Sequence, residues 1–333
     1  MRAPAFWWRE RGLRARLLRP LGAIYGAISG RRLRRAGTSA GIPVVCIGNL
    51  TLGGAGKTPA ALAIAQMLAG AGAAPGFLTR GYGGRTLGPL RVDPAGHSPG
   101  EVGDEALLLA AAFPTIVARD RVAGAKAARE AEVEIVVMDD GFHNPALQKD
   151  FSILVVDGAR GIGNGFVFPA GPLRAPLEAQ LRRADALIFV GEGRPPALIE
   201  AAEKRGIPIF PARLLPDAAA VAALAGKGLL AYAGIGHPDK FFATLRACGA
   251  DVRGEISFAD HHPYSEHDMR ALIAEAERGG LALITTAKDW VRLPDNELGR
   301  ELRARSAVLP VTMVFDNPAA LLRLIMRAIR RGP

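Results

Sequence analysis

Residues Asn49 to Pro59 read NLTLGGAGKTP, a set of side chains and backbone types suited to gripping a chain of phosphates. Gly53, Gly54 and Gly56 allow backbone N–H groups to turn inward, Lys57 carries a charge for the terminal phosphates, and Thr58 offers a hydroxyl to Mg²⁺. The strict spacing G-x-x-x-x-G-K-[ST] asks for glycine where this chain has Thr51. Glycine at that point relieves backbone strain, and a threonine of ordinary conformation serves if the turn relaxes. Pro59 falls at an early helical position, where the missing N–H has no partner within the helix anyway. Thr51, Leu52, Gly53, Gly54, Ala55, Gly56, Lys57 and Thr58 are therefore expected to hold nucleotide phosphates.

Phosphate chemistry also needs acids for a metal and a group that takes the acceptor's proton. EIVVMDDGF ends an apolar run with Asp139 and Asp140, where one acid holds Mg²⁺ directly or through water, unless the pair only caps a turn. EVGDEALLL sets Asp104 and Glu105 at a helix start, a place the helix dipole favours for acids with or without a function. FADHHPYSEHD gathers His261, His262 and His267 with three acids. Without an HExxH pattern or a cysteine pair a zinc site is not favoured. Solvated loop residues, or a histidine set across a cleft as part of a base, are the remaining readings.

These residues need elements that bring them together. After Gly37 the chain alternates apolar runs with helical segments: IPVVCIGNL enters the glycine loop, and TPAALAIAQMLAGAG leaves it as a helix ended by glycine. Uninterrupted apolar runs suit parallel strands covered on both faces, so the expected fold is α/β, a mostly parallel sheet flanked by helices. A Pro/Ala-rich stretch between about Pro211 and Lys227 reads as a linker, and a second alternating set follows it. The expected organisation is an arm (1–37), a nucleotide-binding domain (38–215) and a smaller α/β domain (228–333) closing over the cleft. The two cysteines, Cys46 and Cys248, lie far apart, which fits a reducing cytosol.

The net charge of +10 is concentrated at one end. Residues 1–36 hold ten arginines and one acid, while the rest of the chain carries 32 basic and 31 acidic residues. Within that arm, Leu13, Leu17, Leu21, Ile24 and Ile28 recur every three or four residues and share one helix face. Its longest uncharged run, Pro20 to Gly30, is too short to span a bilayer, which takes about 20 residues. The arm is read as a helix in the interface of an anionic leaflet, with Trp7, Trp8 and the leucines buried there and Pro20 kinking or dividing it. Docking on its own domain by the same stripe is the alternative. A nucleic-acid arm would not need leucine-rich amphipathicity, and the nearly neutral body argues against nucleic acid as a partner.

In this order and spacing, VVCIGNLTLGGAGKTP, LTRGYGGR, EVGDEALLLA, VMDDGF, PAGPLRAPL, AGIGHPDKFFATL, FADHHPY and TAKDWVRL resemble the tetraacyldisaccharide 4'-kinases along nearly the whole chain. The resemblance implies ATP-dependent phosphorylation of the 4'-hydroxyl of an acylated glucosamine disaccharide 1-phosphate. It places the enzyme at the cytoplasmic face of the inner membrane of Gram-negative bacteria, with ATP and Mg²⁺ as cofactors and no obligate protein partner. It implies that Asp104 pairs with His261 to deprotonate the acceptor, with Lys57 on the phosphates. Thr58, Glu105, Asp139 and Asp140 are implied around Mg²⁺, and Arg80, Tyr82, Arg121 and Arg174 near the acceptor. The chain departs from the family at His143, where glutamine is usual, and at His237, where many members have asparagine. The competing reading is a membrane-associated ATPase switch of the division or partitioning type. Such proteins usually place a lysine before the glycine pair, where this chain has Leu52.

Overall fold

The computed structural model describes residues 3–330; Met1 and Arg2 of the expected arm, and residues 331–333 at the end of the expected last helix, lie outside it. The first eight strands are β1 (Val44–Asn49), β2 (Pro75–Thr79), β3 (Leu90–Arg91), β4 (Thr115–Val117), β5 (Ile135–Asp139), β6 (Phe151–Asp157), β7 (Ala186–Val190) and β8 (Ile209–Pro216). A second group, β9 (Gly228–Ala233), β10 (Asp251–Ser257), β11 (Ala282–Thr285) and β12 (Ser306–Val308), forms its own four-stranded sheet, ordered β10-β9-β11-β12 and wholly parallel. The last strand, β13 (Val311–Phe315), returns to the first. That nine-stranded sheet has the order β13-β8-β7-β6-β1-β5-β2-β4-β3 and is antiparallel only at its two edges.

Alternate residues of each central strand supply opposite faces. Val44 and Cys46 of β1 belong to one apolar layer, and Val45 and Ile47 to the other. Both layers are covered by helices, which is why the strands read as unbroken apolar runs. Cys46 is buried within this core, and both cysteines are free thiols.

One stretch differs from its sequence reading: the expected linker is largely ordered, as the end of β8 and the short helix Ala218–Ala222. Further on, the apolar run VLPVTMVF feeds two sheets. Pro310 interrupts it, because proline offers no N–H to continue a ladder. β12 stays in the small sheet, while β13 and the helix Pro318–Arg330 pack on the large one, with Leu321 and Ile325 in its core. The chain thus crosses between the sheets twice, and the crossings touch: the Asp217 N–H donates to the Pro310 carbonyl at 3.0 Å.

After a short 3-10 turn at Ala5–Trp8, the arm forms one α-helix, α1 (Leu13–Leu33), which is not divided at Pro20. It docks on the body by the face opposite its apolar stripe. Gly22, Gly26 and Gly30 lie against Val167, Pro176 and Ala179. The stripe itself stays outside, from 56 % exposed at Leu21 to 73 % at Leu13. The expectation that Trp7 enters a leaflet is corrected: its ring is buried against Phe168, and its N–H donates to the Pro169 carbonyl at 3.1 Å. Trp8 lies beneath the Arg160 guanidinium, 4.7 Å from the ring centre. Both aromatic rings find a seat on the 160–170 loop, whose contacts a membrane would not improve. Among the described residues no helix is long and apolar enough to cross a membrane.

Candidate active site

The central strand β1 delivers the glycine loop to the carboxyl edge of the large sheet, with β5 as its parallel neighbour. Asn49, fully buried at the end of β1, holds the loop's shape: its amide donates to the carbonyls of Thr51 (2.6 Å) and Gly53 (2.9 Å). Thr51 makes an isolated antiparallel bridge with Leu173, so it sits in extended backbone and no glycine is needed there. Gly53 and Gly56 adopt φ of 108° and 87°, and a Cβ at Gly53 or Gly54 would meet no protein atom within 4 Å. Gly56 precedes helix α2 (Lys57–Gly70) without any side-chain cap, leaving the first amides of that helix to an anion.

Thr58 Oγ lies 3.3 Å from Asp139 Oδ2 and 3.4 Å from Glu105 Oε1, so a hydroxyl and two carboxylates converge. The other oxygen of Asp139 is buried without a partner. Burial, followed by repulsion from Glu105, pushes the Asp139 carboxyl up. A hard divalent cation relieves that strain, and oxygen ligands of this kind suit Mg²⁺, which takes one or two carboxylates together with phosphate oxygens. Among the described residues no three acidic, histidine or cysteine side chains form a metal cage by themselves. Asp140 does not join this group. With φ of 52° it turns toward Lys57 Nζ at 3.8 Å and the Arg174 guanidinium at 3.3 Å.

Opposite the loop, Asp104 begins the helix Asp104–Ala110. Gly103 must precede it: φ is 89°, and a Cβ would fall 2.5 Å from the Tyr82 carbonyl. The TRGYGG turn is therefore packed directly on the GDE turn. Asp104 Oδ2 lies 3.2 Å from His261 Nδ1, and Tyr82 meets the His261 ring edge-on at 4.9 Å. His261 has φ of 57°, an uncommon conformation for a residue with a side chain. His262, its neighbour, is occupied elsewhere, stacked on Phe258 and bonded to Asp268 at 3.0 Å. Burial raises the Asp104 carboxyl, but the His261 hydrogen bond and the Arg292 charge outweigh it and hold it well below the usual range. The same bond raises the His261 imidazole against its own burial.

The predicted arginines separate. Arg174 joins the loop, donating to the Thr51 carbonyl at 3.2 Å as well as to Asp140. Arg80 is exposed. Arg121 is buried, with one amino group on the Ala118 carbonyl at 2.6 Å and its Nε unpartnered. His143 bonds Gln180 at 2.9 Å, and burial lowers it to about 4, so it stands as a neutral packing group.

Sequence reasoning missed the cations of TAKDWVRL. Lys288 and Arg292 lie four residues apart on the helix Ala287–Arg292 of the small sheet. They meet neighbouring acids of the large one: Lys288 pairs with Glu105, and Arg292 with Asp104 at 2.7 Å. Lys240 pairs with Asp157 in the same sense. The available signal was position: polar residues directly after the apolar strand β11, at its carboxyl end, with two cations one helical turn apart.

A mostly parallel sheet with a glycine loop after the central strand, the Thr58, Glu105 and Asp139 oxygens beside it and a histidine–carboxylate pair across from it defines a P-loop phosphotransferase. The chain belongs to the tetraacyldisaccharide-1-P 4'-kinase (LpxK) family, whose profile matches residues 14–330. It is 56 % identical over 337 residues to the tetraacyldisaccharide 4'-kinase of Methylobacterium sp. (strain 4-46), covering 100 % of this chain and 99 % of that one. Its identity to the enzyme of the same name from Nitrobacter winogradskyi is 52 % over 332 residues, 99 % of this chain and 98 % of the other. The crystal structure of the "apo" form of LpxK from Aquifex aeolicus in complex with ATP superposes with a TM-score of 0.73 at 27 % identity, covering 96 % of this chain and 100 % of that one. This membership does not favour the ATPase-switch alternative.

Proposed function

We propose that the protein is an ATP- and Mg²⁺-dependent kinase that phosphorylates the 4'-hydroxyl of an acylated glucosamine disaccharide 1-phosphate. The observation that carries this reading is the Asp104–His261 pair, 3.2 Å apart, standing beside the Thr58–Glu105–Asp139 oxygens at the foot of the glycine loop. A bare ATPase has no need of a base set apart from its loop.

Amides from Gly53 to Lys57 grip the phosphates, and Lys57 balances charge on the transferring group. Thr58, Glu105 and Asp139 are the residues that would hold Mg²⁺, which when bound supplies further charge neutralisation. Asp104 accepts a hydrogen bond from the Nδ1–H of His261 and so fixes the tautomer whose Nε2 bears the lone pair, with Asp260 Oδ1 3.8 Å from that nitrogen. Nε2 takes the proton of the attacking hydroxyl. Arg80 and Arg174, at the rim and beside the loop, suit the acceptor's phosphate by charge and fork geometry. Arg121, buried behind them, supports the turn rather than touching the sugar. Asp104 and His261 belong to the two sheets, so the base is complete only when the nucleotide-binding and smaller domains close. The adjoining crossings at Asp217 and Pro310 are the natural hinge.

The substrate's acyl chains stay in a bilayer, so the protein is read as peripheral at the cytoplasmic face of the inner membrane. The exposed stripe Leu13, Leu17, Leu21, Ile24 and Ile28 lies on the anionic leaflet, and the arm's exposed arginines reach its phosphates. Incubation with ATP, Mg²⁺ and the disaccharide lipid, followed by mass spectrometry, is expected to show one added phosphate on the non-reducing sugar. ATP hydrolysis with unchanged lipid would rule the kinase out.

A further inference from the structure

The Asp104–His261 pair joins two sheets through a single contact, and one hydrogen bond does not hold two bodies in register. The structure supplies a third member. Arg292 Nε and Nη2 donate to Asp104 Oδ2 at 3.0 and 2.7 Å, and Nη1 donates to the Gly234 carbonyl at 2.8 Å. That same carbonyl accepts the backbone N–H of His261 at 3.1 Å. One guanidinium thus touches the carboxylate of the pair and the carbonyl that seats the histidine backbone.

Arg292 is itself held from behind. Its Nη1 also donates to Asp289 Oδ1 at 3.0 Å. Asp289, fully buried, accepts from the Gly234 N–H and the Tyr264 hydroxyl, each at 2.9 Å, and from the Thr286 hydroxyl at 2.6 Å. The Arg292 side chain is 7 % exposed and the Asp104 side chain 4 %. Such a buried pair is strongly coupled and geometrically exacting. His261 has a left-handed backbone, an uncommon conformation for a residue with a side chain, and its N–H bond to the Gly234 carbonyl helps hold it there.

We propose that Arg292 is the positioning residue of the proton-accepting pair, tying the Asp104 carboxylate and the backbone seat of His261 to one planar group. Lysine in its place would keep the charge but could not serve Asp104 twice and reach the Gly234 carbonyl at once. The proposal rests on the kinase reading for its consequence, not for its geometry.

Its test uses the full-length protein with Arg292→Ala and Arg292→Lys, each alone and combined with Asp104→Ala. For Arg292→Ala, kcat is expected to fall about 100-fold while KM for ATP stays within about threefold. Combined with Asp104→Ala it should add less than about threefold to the loss, since both act through one pair. Losses that multiply, or an Arg292→Ala rate near native, would overturn the assignment. Ring-nitrogen NMR of labelled His261, without any substrate, gives a readout independent of turnover and suits Arg292→Lys should Arg292→Ala not fold. A changed Nδ1 signal is expected, and an unchanged one would overturn the proposal. A native protein that leaves the lipid unphosphorylated would count against the kinase reading alone, with the His261 spectrum still testing Arg292.

Discussion

The two walls of the cleft are built on different principles. On the large-sheet side, the proposed phosphate cradle is a contiguous segment, Thr51 to Thr58, offering its own backbone, and Asn49 pins it from within the same turn. On the small-sheet side, His261 comes from a loop and Lys288 and Arg292 from one short helix further along the chain, and each finds its partner on the opposite wall. Binding phosphate needs only N–H groups of fixed direction, which a local turn provides. On the proposed reading, handling a proton at a hydroxyl needs groups from both walls, here Asp104 and His261.

Three experiments probe this contrast. The largest effect is expected on the local wall: Lys57→Met should reduce kcat by about 1,000-fold, since it removes charge from the transferring group itself. Its ion pair with Asp140, at 3.8 Å, is long enough that melting temperature should hardly change. Single-turnover transfer of labelled phosphate reads the rate, and a variant within tenfold of native would break the claim that this wall does the gripping.

The next effect tests the shared pair. Asp104→Asn should slow turnover by about 100-fold or more while ATP binding, followed calorimetrically, stays near native. The sign of the pH dependence sharpens the test. Asp104, with Asp260 adding to it, raises His261 against burial and the Lys288 charge. His261 is protonated, and idle as a base, below that raised value, so the rate falls as pH drops through it. Removing the Asp104 carboxylate lowers the value, and the acid limb of the kcat profile should move to lower pH. A limb that stays in place would assign it to another group.

The smallest catalytic effect belongs to the arm, which touches neither wall. Leu17→Glu with Ile24→Glu is expected to weaken binding to anionic vesicles about tenfold, with turnover on detergent-dispersed lipid within about twofold of native. Undiminished vesicle binding would remove the stripe as the anchor. Deleting the arm is a poorer test, because the 164–174 loop that seats Trp7 and α1 also accepts, at its Pro172 carbonyl, the Leu52 N–H of the glycine loop at 2.8 Å.

Much of the large-sheet wall is legible in the sequence. Glycines ahead of a lysine and threonine, an apolar run leading into them and a double aspartate closing another run are local statements, and local backbone preference decides them. Thr51 looks like a flaw until its bridge to Leu173 shows the backbone there to be extended. Asp140 shows the limit of such reading, since adjacent identical residues point differently: Asp139 toward Thr58, and Asp140 toward Lys57 and Arg174. The tryptophans show it again. Periodicity locates an amphipathic helix but does not tell which face the body claims.

From its residues alone, this chain determines an α/β sheet with a phosphate loop, a basic amphipathic helix and a family membership, because each is encoded in short-range pattern and motif order. Tertiary structure alone decides that the run through Pro310 divides between two sheets, that α1 docks by its glycines, and that Lys288 and Arg292 land on Glu105 and Asp104. The physical reason is separation along the chain. Asp104 and Arg292 lie 188 residues apart, and a contact between such residues is set by how two packed layers meet, which no local preference records.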